Sequence, residues 1–202
     1  MAENRTKSPN RLIIGITGAS GAAYGRRALE IAKSCDIETH LVMSRAAEIT
    51  IRYELGVSAD EIAALSDVRY GIKDIAAPIS SGSFSTIGML IAPCSVNTMS
   101  EICSGITGNL ISRAADVVLK ERRRLVLMVR ETPFHLGHLR TMTSLTEMGA
   151  VIAPPLPAFY AEPQSLDDLV TQSISRTFDM FGLSAPETRR WSEDLAKGKR
   201  QS

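Results

Sequence analysis

Four basic side chains are the main candidates for ligand binding in this sequence: Arg113, Lys120, Arg130 and Arg176. Arg130 directly follows the apolar run LVLMV, and open parallel sheets bind ligands at the carboxyl ends of their strands. Arginine offers paired donors in a fixed plane and lysine offers a point charge, so several cations around one site would hold a phosphate dianion. Tyr160, in the loop PPLPAFYAEP, adds a hydroxyl that can donate to a phosphate. The sequence does not establish that these side chains converge.

A carboxylate stands beside this basic set, because Glu131 immediately follows Arg130. It is a candidate for proton transfer, and the alternatives are an ion pair with Arg130 or a carboxylate at a helix N-terminus. The basic run Arg122–Arg124 follows a predicted helix, where the helix dipole favours cations. We interpret that run as a solvated helix end.

A glycine-rich turn, GITGASG, joins the first predicted strand to the first predicted helix. Glycine lets the backbone approach a ligand closely, and a helix N-terminus favours an anion. The spacing differs from the dinucleotide motif GxGxxG, and the second strand ends at Ser44 and Arg45 where a ribose-binding acidic residue would stand. The turn therefore favours a phosphate ligand, and the alternative is a tight turn in which Ser20 caps the helix.

A second turn, PCSVNT at residues 93–98, follows the predicted strand GMLIA, which we expect its proline to end. Ser95, Asn97 and Thr98 offer short hydrogen-bonding groups at the start of the next helix. Two turns at one edge of a parallel sheet can hold a flat polar ring and its phosphate, and plain helix capping is the alternative. Cys94 has no base beside it and is interpreted as a packing residue.

Composition argues against several classes of protein. The chain has 202 residues and a formal net charge of +1, so its charge gives no reason to expect a nucleic-acid partner. Its three cysteines and three histidines lack zinc-site spacing, so we expect no metal. Three cysteines do not suit a secreted disulfide framework, and neither a signal peptide nor a membrane-length apolar run is evident. We expect a cytoplasmic protein with no membrane partner.

Short apolar runs alternate with amphipathic stretches, which is typical of βαβ units. Strands are predicted at 12–17, 39–43, 88–92, 125–129 and 151–153. Helices are predicted at 21–35, 46–55, 97–104, 109–120, 136–148 and 165–181. The alternation predicts an α/β fold, namely a single-domain, Rossmann-like doubly wound parallel sheet with helices on both faces.

The predicted domain spans residues 11–191. We expect a disordered tail at 1–10 and a flexible C-terminal tail at 192–202. The segment 66–85 is the least regular, and its small polar residues favour a functional loop.

Eight motifs together resemble the flavin prenyltransferases, the UbiX-like family within the flavin-containing cysteine decarboxylase superfamily. Their order and spacing, from about Leu12 to Trp191, make the resemblance specific. The motifs are TGASGAAYG (17–25), Ser44 at the end of the second strand, SSGSF (80–84), PCSVNT (93–98), NLISRAADVVLKERR (109–123), VRETPFHLGHL (129–139), PPLPAFYAEPQS (154–165) and the Arg-Trp pair at 190–191.

The resemblance implies a set of site residues. FMN would be bound by Gly18, Ala19, Ser20, Ser44, Ser95, Val96, Asn97, Thr98 and Arg113. The prenyl phosphate would be bound by Lys120, Arg130, Tyr160 and Arg176, a clamp that stabilises leaving phosphate without a metal. Glu131, Glu54 and Ser20 would act in catalysis, and Trp191 would offer an aromatic face to an allylic cation.

The resemblance also implies a reaction, in which a dimethylallyl group from dimethylallyl monophosphate is joined to reduced FMN at N5 and C6. The product, prenylated FMN, would serve a partner decarboxylase, and the enzyme would be a homo-oligomer, typically a dodecamer. Arg45, SVNT and the histidine-rich HLGHL depart from the usual family pattern. They leave the choice between monophosphate and diphosphate donors open, and the sequence does not name the partner or its pathway.

Two other functions stay open at this point. An FMN-dependent oxidative decarboxylase of the same superfamily resembles this chain around PCSVNT, but it would need a catalytic histidine in its early helices, whereas His40 falls in a predicted strand. A non-catalytic flavin-carrier subunit of a hydroxyaromatic acid decarboxylase would bind the flavin without changing it covalently.

Overall fold

The computed structural model describes residues 10–185 and 188–191. The predicted tail at 192–202, and all but the last residue of the predicted tail at 1–10, lie outside the described residues. The strands are β1 (Arg11–Ile16), β2 (Glu38–Met43), β3 (Val68–Tyr70), β4 (Gly88–Cys94), β5 (Arg124–Val129) and β6 (Val151–Ile152). The helices are α1 (Ala22–Ser34), α2 (Arg45–Leu55), α3 (Ala59–Ala63), α4 (Val96–Cys103), α5 (Leu110–Lys120), α6 (Leu136–Glu147) and α7 (Leu166–Asp179).

These strands form one parallel sheet in the order β3-β2-β1-β4-β5-β6. The chain starts in the middle of the sheet, builds outward to one edge and then crosses back to build the other half. This order reverses between β1 and β4, and the loops that follow those two strands diverge and leave a crevice for a ligand. The predicted Rossmann-like, doubly wound parallel sheet is confirmed.

Apolar side chains on the two faces of the sheet form two cores. One core packs α1, α2 and α7 against the sheet and includes the fully buried Phe178. The other packs α4, α5 and α6 against the opposite face and includes the fully buried Val118. Neighbouring residues of β1 alternate between them, since Ile13 faces the second core and Ile14 the first. Across 10–185 and 188–191, no helix is both long enough and apolar enough to cross a bilayer.

The structure corrects the predicted elements in three places. β3 lies within the segment 66–85 and was missed, because three residues at a sheet edge are too few to show a period. The five-residue α3 was also missed, and its sequence signal is the capping box formed by Ser58 and Glu61. The expectation that Pro93 ends its strand was wrong. β4 continues to Cys94, and the register with β5 shifts after Ile91, an irregularity of the kind that accommodates a proline.

Helix α1 approaches the sheet so closely that Gly25 has no room for a side chain. A Cβ there would lie 2.6 Å from Cδ1 of Ile16 and 2.7 Å from the carbonyl oxygen of Ala92. The second contact is with backbone, which cannot move aside as a flexible side chain can. Gly25 therefore sets the distance between α1 and the strands that carry both ligand-binding turns.

Gly25→Ala should destabilise the fold by about 1–3 kcal/mol, because overpacking outweighs the roughly 1 kcal/mol that alanine gains over glycine in a helix. Gly71→Ala is the matched control, since a Cβ at Gly71 would have no neighbour within 4 Å. The measurement is the free energy of unfolding from urea titration of both variants. A Gly25→Ala protein as stable as the wild type would show that α1 can shift without cost.

Candidate active site

The turns after β1 and β4 are joined by one buried hydroxyl, that of Thr17. Its Oγ1 donates a hydrogen bond to the carbonyl oxygen of Pro93 at 2.7 Å and accepts one from the backbone N–H of Ser95 at 2.8 Å. The backbone N–H of Thr17 donates to the same carbonyl oxygen at 3.3 Å. Because Thr17 is only 1% exposed, these bonds form away from water and hold one turn against the other.

A cleft of about 380 Å³ opens between these turns at the carboxyl edge of the sheet. It is lined by five of the residues predicted to bind FMN, namely Gly18, Ser44, Ser95, Asn97 and Thr98. The lining also contains Ala46, Ile72, Glu101, Asn109 and Ile111. The volume falls within the usual range for small-molecule sites, and the mixture of apolar walls with a few polar groups is typical of them. The cleft therefore fits a flat polar ring.

The first turn passes directly over the start of α2. A Cβ at Gly18 would lie 2.3 Å from Cβ of Ala46, so this close approach requires glycine. Ser44 caps α2 by accepting a hydrogen bond from the N–H of Ala47 at 3.1 Å. Ser95 caps α4 through the N–H of Thr98 at 3.3 Å. The capping alternative is thus present as well, and the capped ends bring two positive helix dipoles to the cleft, where they favour an anion.

A carboxylate that the sequence analysis missed lies in the cleft wall. Glu101 accepts hydrogen bonds from Nδ2 of Asn97 at 2.8 Å and from Nδ2 of Asn109 at 2.9 Å. These contacts orient both amides, and Asn109 Oδ1 in turn caps α5 by accepting from the N–H of Ser112 at 3.1 Å. The available signal was the four-residue spacing of Asn97 and Glu101 on one helix.

Glu54 occupies the N-terminus of α1. Its carboxylate accepts hydrogen bonds from the backbone N–H groups of Gly21 and Ala22, each at 2.8 Å. Burial raises the pKa of Glu54, but hydrogen bonds from the Ser20 side chain and from those two N–H groups outweigh burial and lower the pKa overall. Ser20 therefore reaches Glu54 instead of capping α1 itself, and these two predicted catalytic residues lie together.

Arg130 belongs to the same neighbourhood. Its positive charge contributes to the lowered pKa of Glu54, and it partly offsets the rise that burial causes in the pKa of Tyr24 on α1. Glu131 is exposed and accepts a hydrogen bond from the N–H of Thr132 at 2.9 Å. Among the described residues, the hydrogen bond from Thr132 is the contact that the structure gives Glu131, and the ion pair with Arg130 stays an alternative interpretation.

Four predicted FMN-binding residues do not line the cleft, and one of them is Ser20, whose side chain reaches Glu54. Ala19 lies in the first turn and Val96 at the start of α4, so both adjoin it. Arg113 lies on α5, where Nη1 pairs with Oδ2 of Asp116 at 2.8 Å. The structure of a single chain therefore gives Arg113 a local partner rather than a position in the cleft.

Tyr160, Arg176 and Trp191 lie around α7. The rings of Tyr160 and Trp191 meet edge to face, with centroids 5.4 Å apart. Arg176 pairs with Asp179 one turn further along the helix and lines a cavity of about 120 Å³. That cavity lies between α7 and the proline-rich loop after β6, so these three residues form a second group.

Lys120 lies near the amino ends of the strands, whereas Arg130 lies at their carboxyl ends. It pairs with Glu121 and lines a cavity of about 760 Å³ together with Arg124, the first residue of β5. Arg130 directly follows the end of β5, and six residues at roughly 3.3 Å each separate the strand ends by about 20 Å. The predicted phosphate clamp is therefore not assembled within one chain.

The interpretation of Arg122–Arg124 as a solvated helix end was wrong for Arg123. Its Nη1 donates to the carbonyl oxygen of Phe84 at 2.7 Å and its Nη2 to that of Gly82 at 2.6 Å. Arg123 thus anchors the SSGSF loop to the end of α5. A Cβ at Gly82 would lie 2.8 Å from Nζ of Lys120, so this loop also packs against the lysine.

Known proteins match this chain along nearly all of its length. The profile of the family described as Flavoprotein matches residues 1–177. The flavin prenyltransferase UbiX of Escherichia coli K12 is 58% identical over 184 residues, which cover 90% of this chain and 97% of that protein. The chain belongs to the UbiX flavin prenyltransferase family.

Two solved structures of relatives share the fold closely. The crystal structure of AnUbiX (PadA1) in complex with FMN and dimethylallyl pyrophosphate has a TM-score of 0.90 and 48% identity, and the match covers 91% of this chain and 98% of that one. A dodecameric FMN-dependent UbiX-like decarboxylase from Escherichia coli O157:H7 has a TM-score of 0.88 and 48% identity, over 90% of this chain and 99% of that one. The resemblance recognised in the motifs is therefore confirmed.

The side chains of this flavin prenyltransferase argue against histidine or thiol chemistry. His40 is buried in β2, where its ring nitrogens contact Tyr70 Oη at 2.9 Å and a Glu38 carboxylate oxygen at 3.0 Å, and burial lowers its pKa. Cys94 is fully buried, and burial raises its pKa to about 12, consistent with a packing role. Among the described residues, no group of three or more His, Cys, Asp or Glu side chains could hold a metal ion.

Thr17→Val should loosen the flavin prenyltransferase cleft, because the buried N–H of Ser95 loses its acceptor. An unsatisfied buried group costs about 1–3 kcal/mol, and we expect a loss of that size in the free energy of unfolding together with weaker FMN binding. The measurements are urea unfolding and calorimetric titration with FMN. Thr143→Val is the control, since exposed Thr143 only donates to the carbonyl oxygen of Leu139 within α6. Unchanged FMN affinity in Thr17→Val would show that the turns hold their spacing without this hydroxyl.

Glu54 should stabilise the ligand-free protein only above acidic pH. A carboxyl whose folded pKa is lowered contributes fully above its ordinary pKa of about 4.3 and loses that contribution as the pH falls through the folded value. Wild type should therefore exceed Glu54→Gln in stability near neutral pH, and the two should converge in acid. Unfolding curves across this range test it, with Glu147→Gln as a control for losing one exposed charge. A wild-type advantage that persists in acid would contradict the assignment.

Proposed function

We propose that this enzyme joins a dimethylallyl group from dimethylallyl monophosphate to reduced FMN, first at N5 and then at C6, without a metal. The prenylated FMN then serves as cofactor for a separate decarboxylase. The observation that carries the proposal is the cleft at the sheet reversal, with Glu54 and Arg130 beside it, in a chain of the flavin prenyltransferase family. A related structure described as a complex with FMN and dimethylallyl pyrophosphate supports the choice of ligands.

The flavin side of the site consists of short donors and helix ends. Ser44, Ser95, Asn97 and Thr98 line the cleft, and Gly18 admits a ligand close to the backbone. We assign the phosphate of FMN to the N-terminal turns of α2 and α4, because backbone N–H groups and the helix dipole both favour an anion there. Glu101 holds the amide of Asn97 in a fixed orientation toward this ligand.

The donor side requires cations. The C–O bond to phosphate breaks as the allylic carbon bonds to N5, which releases its proton, and negative charge develops on the departing phosphate. Protonation of the remaining double bond then allows its tertiary carbon to bond to C6, which loses a proton in turn. Fixed positive charge at the departing phosphate lowers the barrier. Arg130 is next to the cleft, and Glu131 after it is exposed and available to transfer the proton. Ser20 and Glu54 are assigned the proton movement at the flavin ring, since Ser20 donates to Glu54 in the turn after β1 and the charge of Arg130 acts on the same carboxylate.

Lys120 is proposed to come from a neighbouring copy of the chain. It lies with Arg124 at the start of β5, whereas Arg130 follows the end of that strand, so a homo-oligomer is needed to bring Lys120 to Arg130. Arg176 lines a cavity with Met128, close to the end of β5, and can act from the same chain as Arg130. Closed symmetric assemblies repeat one such contact at every subunit. We propose a dodecamer, because a relative with 48% identity is described as dodecameric. We also propose a cytoplasmic location, which three free cysteines support.

Single turnover with reduced FMN and dimethylallyl monophosphate should convert the flavin to a heavier species with a changed absorbance spectrum. Arg130→Ala should weaken donor binding about tenfold to a hundredfold while FMN stays bound, because a charged hydrogen bond contributes roughly 1.5–3 kcal/mol. Glu131→Gln should slow adduct formation with donor binding intact. The mass of the recovered flavin and donor titrations are the measurements. Recovery of unmodified FMN from the wild type would favour a flavin carrier and refute prenyl transfer.

Mixing two impaired variants tests whether clamp residues come from different chains. Lys120→Ala and Arg130→Ala subunits should each be impaired alone, and refolded mixtures should regain part of the activity, because some sites then receive both side chains. Light scattering follows the assembly of each sample. Mixtures that form the same oligomer but never exceed the separate variants would contradict a clamp built across chains.

A further inference from the structure

Gln172 joins three segments of the chain on the face of α7 that carries Arg176. Its side chain is only 6% exposed, although glutamine is usually a surface residue. A buried side-chain amide in a protein is normally hydrogen-bonded, because an unpaired buried polar group is costly. The partners of Gln172 therefore indicate why it stands there.

The amide pairs with both backbone groups of one residue near the C-terminus. Nε2 of Gln172 donates to the carbonyl oxygen of Arg189 at 2.9 Å, and Oε1 accepts from the N–H of Arg189 at 3.1 Å. Two opposed bonds to one residue fix the direction of the chain as well as its position. The C-terminal strap, defined here as residues 188–191, is thereby set on α7 with Trp191 only two residues beyond this pair.

The same amide also reaches the aromatic partner of Trp191. Nε2 of Gln172 donates to Oη of Tyr160 at 3.4 Å, and the rings of Tyr160 and Trp191 meet at 90°. Arg176 is four residues after Gln172, so both side chains project from one face of α7, and both line the 120 Å³ cavity. Gln172 thus connects the aromatic pair to the helix that presents the arginine.

Asp179 adds a second anchor for the strap. Its two carboxylate oxygens accept from Arg190 at 2.8 and 3.2 Å, and it also pairs with Arg176. The arginine assigned to the donor phosphate and the strap that carries Trp191 are therefore held by the same short stretch of α7. Gln172 and Asp179 together leave the strap little freedom relative to Arg176.

We propose that Gln172 is a positioning residue for prenyl transfer, which orders the C-terminal strap and holds the Tyr160–Trp191 pair in register with Arg176. It acts through these side chains and does not touch the reacting atoms. The predicted effect of Gln172 on turnover rests on the proposed function. Its predicted effect on the strap does not, because that effect follows from the hydrogen bonds between Gln172 and Arg189.

The test substitution is Gln172→Met, which keeps the length and helix preference of the side chain but removes its donor and its acceptor. Trp191 is the only tryptophan in the sequence, so its fluorescence reports on the strap directly. We expect time-resolved anisotropy of the FMN-bound oligomer to gain a nanosecond component from the freed strap. In single turnover, kcat/KM for dimethylallyl monophosphate should fall about tenfold, with FMN affinity unchanged.

Gln164→Met is the matched control, because the side-chain amide of the exposed Gln164 donates a hydrogen bond of the same type to the carbonyl oxygen of Glu162, which lies outside the strap. Gln172→Glu keeps an acceptor for the N–H of Arg189 and should give intermediate anisotropy, and it carries the test if Gln172→Met does not fold. Wild-type anisotropy in the folded Gln172 variant would overturn the proposal, as would a freed strap with unchanged donor kinetics. A wild-type protein that forms no adduct would refute prenyl transfer, while the anisotropy would still decide whether Gln172 orders the strap.

Discussion

The hydroxyl of Thr17 is the contact on which the candidate site depends. The strand order places β1 and β4 side by side and sends the chain away from them in opposite directions, which opens a crevice. An open crevice between two independent loops would have no fixed width. Thr17 satisfies a carbonyl oxygen and an N–H of the second turn from within the first, so the two walls of the crevice keep one spacing. The capped starts of α2 and α4 then present their positive ends at that spacing.

The charge distribution separates the two halves of the proposed chemistry. Near the flavin cleft, backbone dipoles and hydroxyls predominate, and the carboxylates Glu54 and Glu101 are held by N–H donors. Of the side chains with full positive charge, Arg130 adjoins this cleft, whereas Arg176 lies on α7 and Lys120 lies near the amino ends of the strands. Within a single chain, the cleft therefore contains the groups that suit a polar ring, and Lys120 lies apart from them.

The sequence predicted the elements and turns well because each depends on nearby residues. Apolar runs located the strands, and the short polar side chains of the PCSVNT turn marked a helix start through their capping chemistry. Separation in space was harder to predict, since α5 spans 11 residues at roughly 1.5 Å each and carries Lys120 away from Arg113 toward the amino ends of the strands. Arg123 was misread because its acceptors are backbone carbonyl oxygens of a distant loop, which leave no pattern in the sequence. Gln172 was missed for the same reason.

The absence of a side chain at Gly25 fixes the distance between α1 and the carboxyl ends of the strands. Helix α1 rests almost directly on the backbone of β4, so its distance from the sheet is set by steric contact with backbone atoms, which no change of rotamer can relieve. At most interfaces between a helix and a sheet, the distance between them can change when one apolar residue is exchanged for another of different size. The interface at Gly25 does not allow such a change. Substitutions can accumulate on the outer faces of the helices, whereas the spacing that aims the N-terminus of α1 at Glu54 can change only if the entire helix moves.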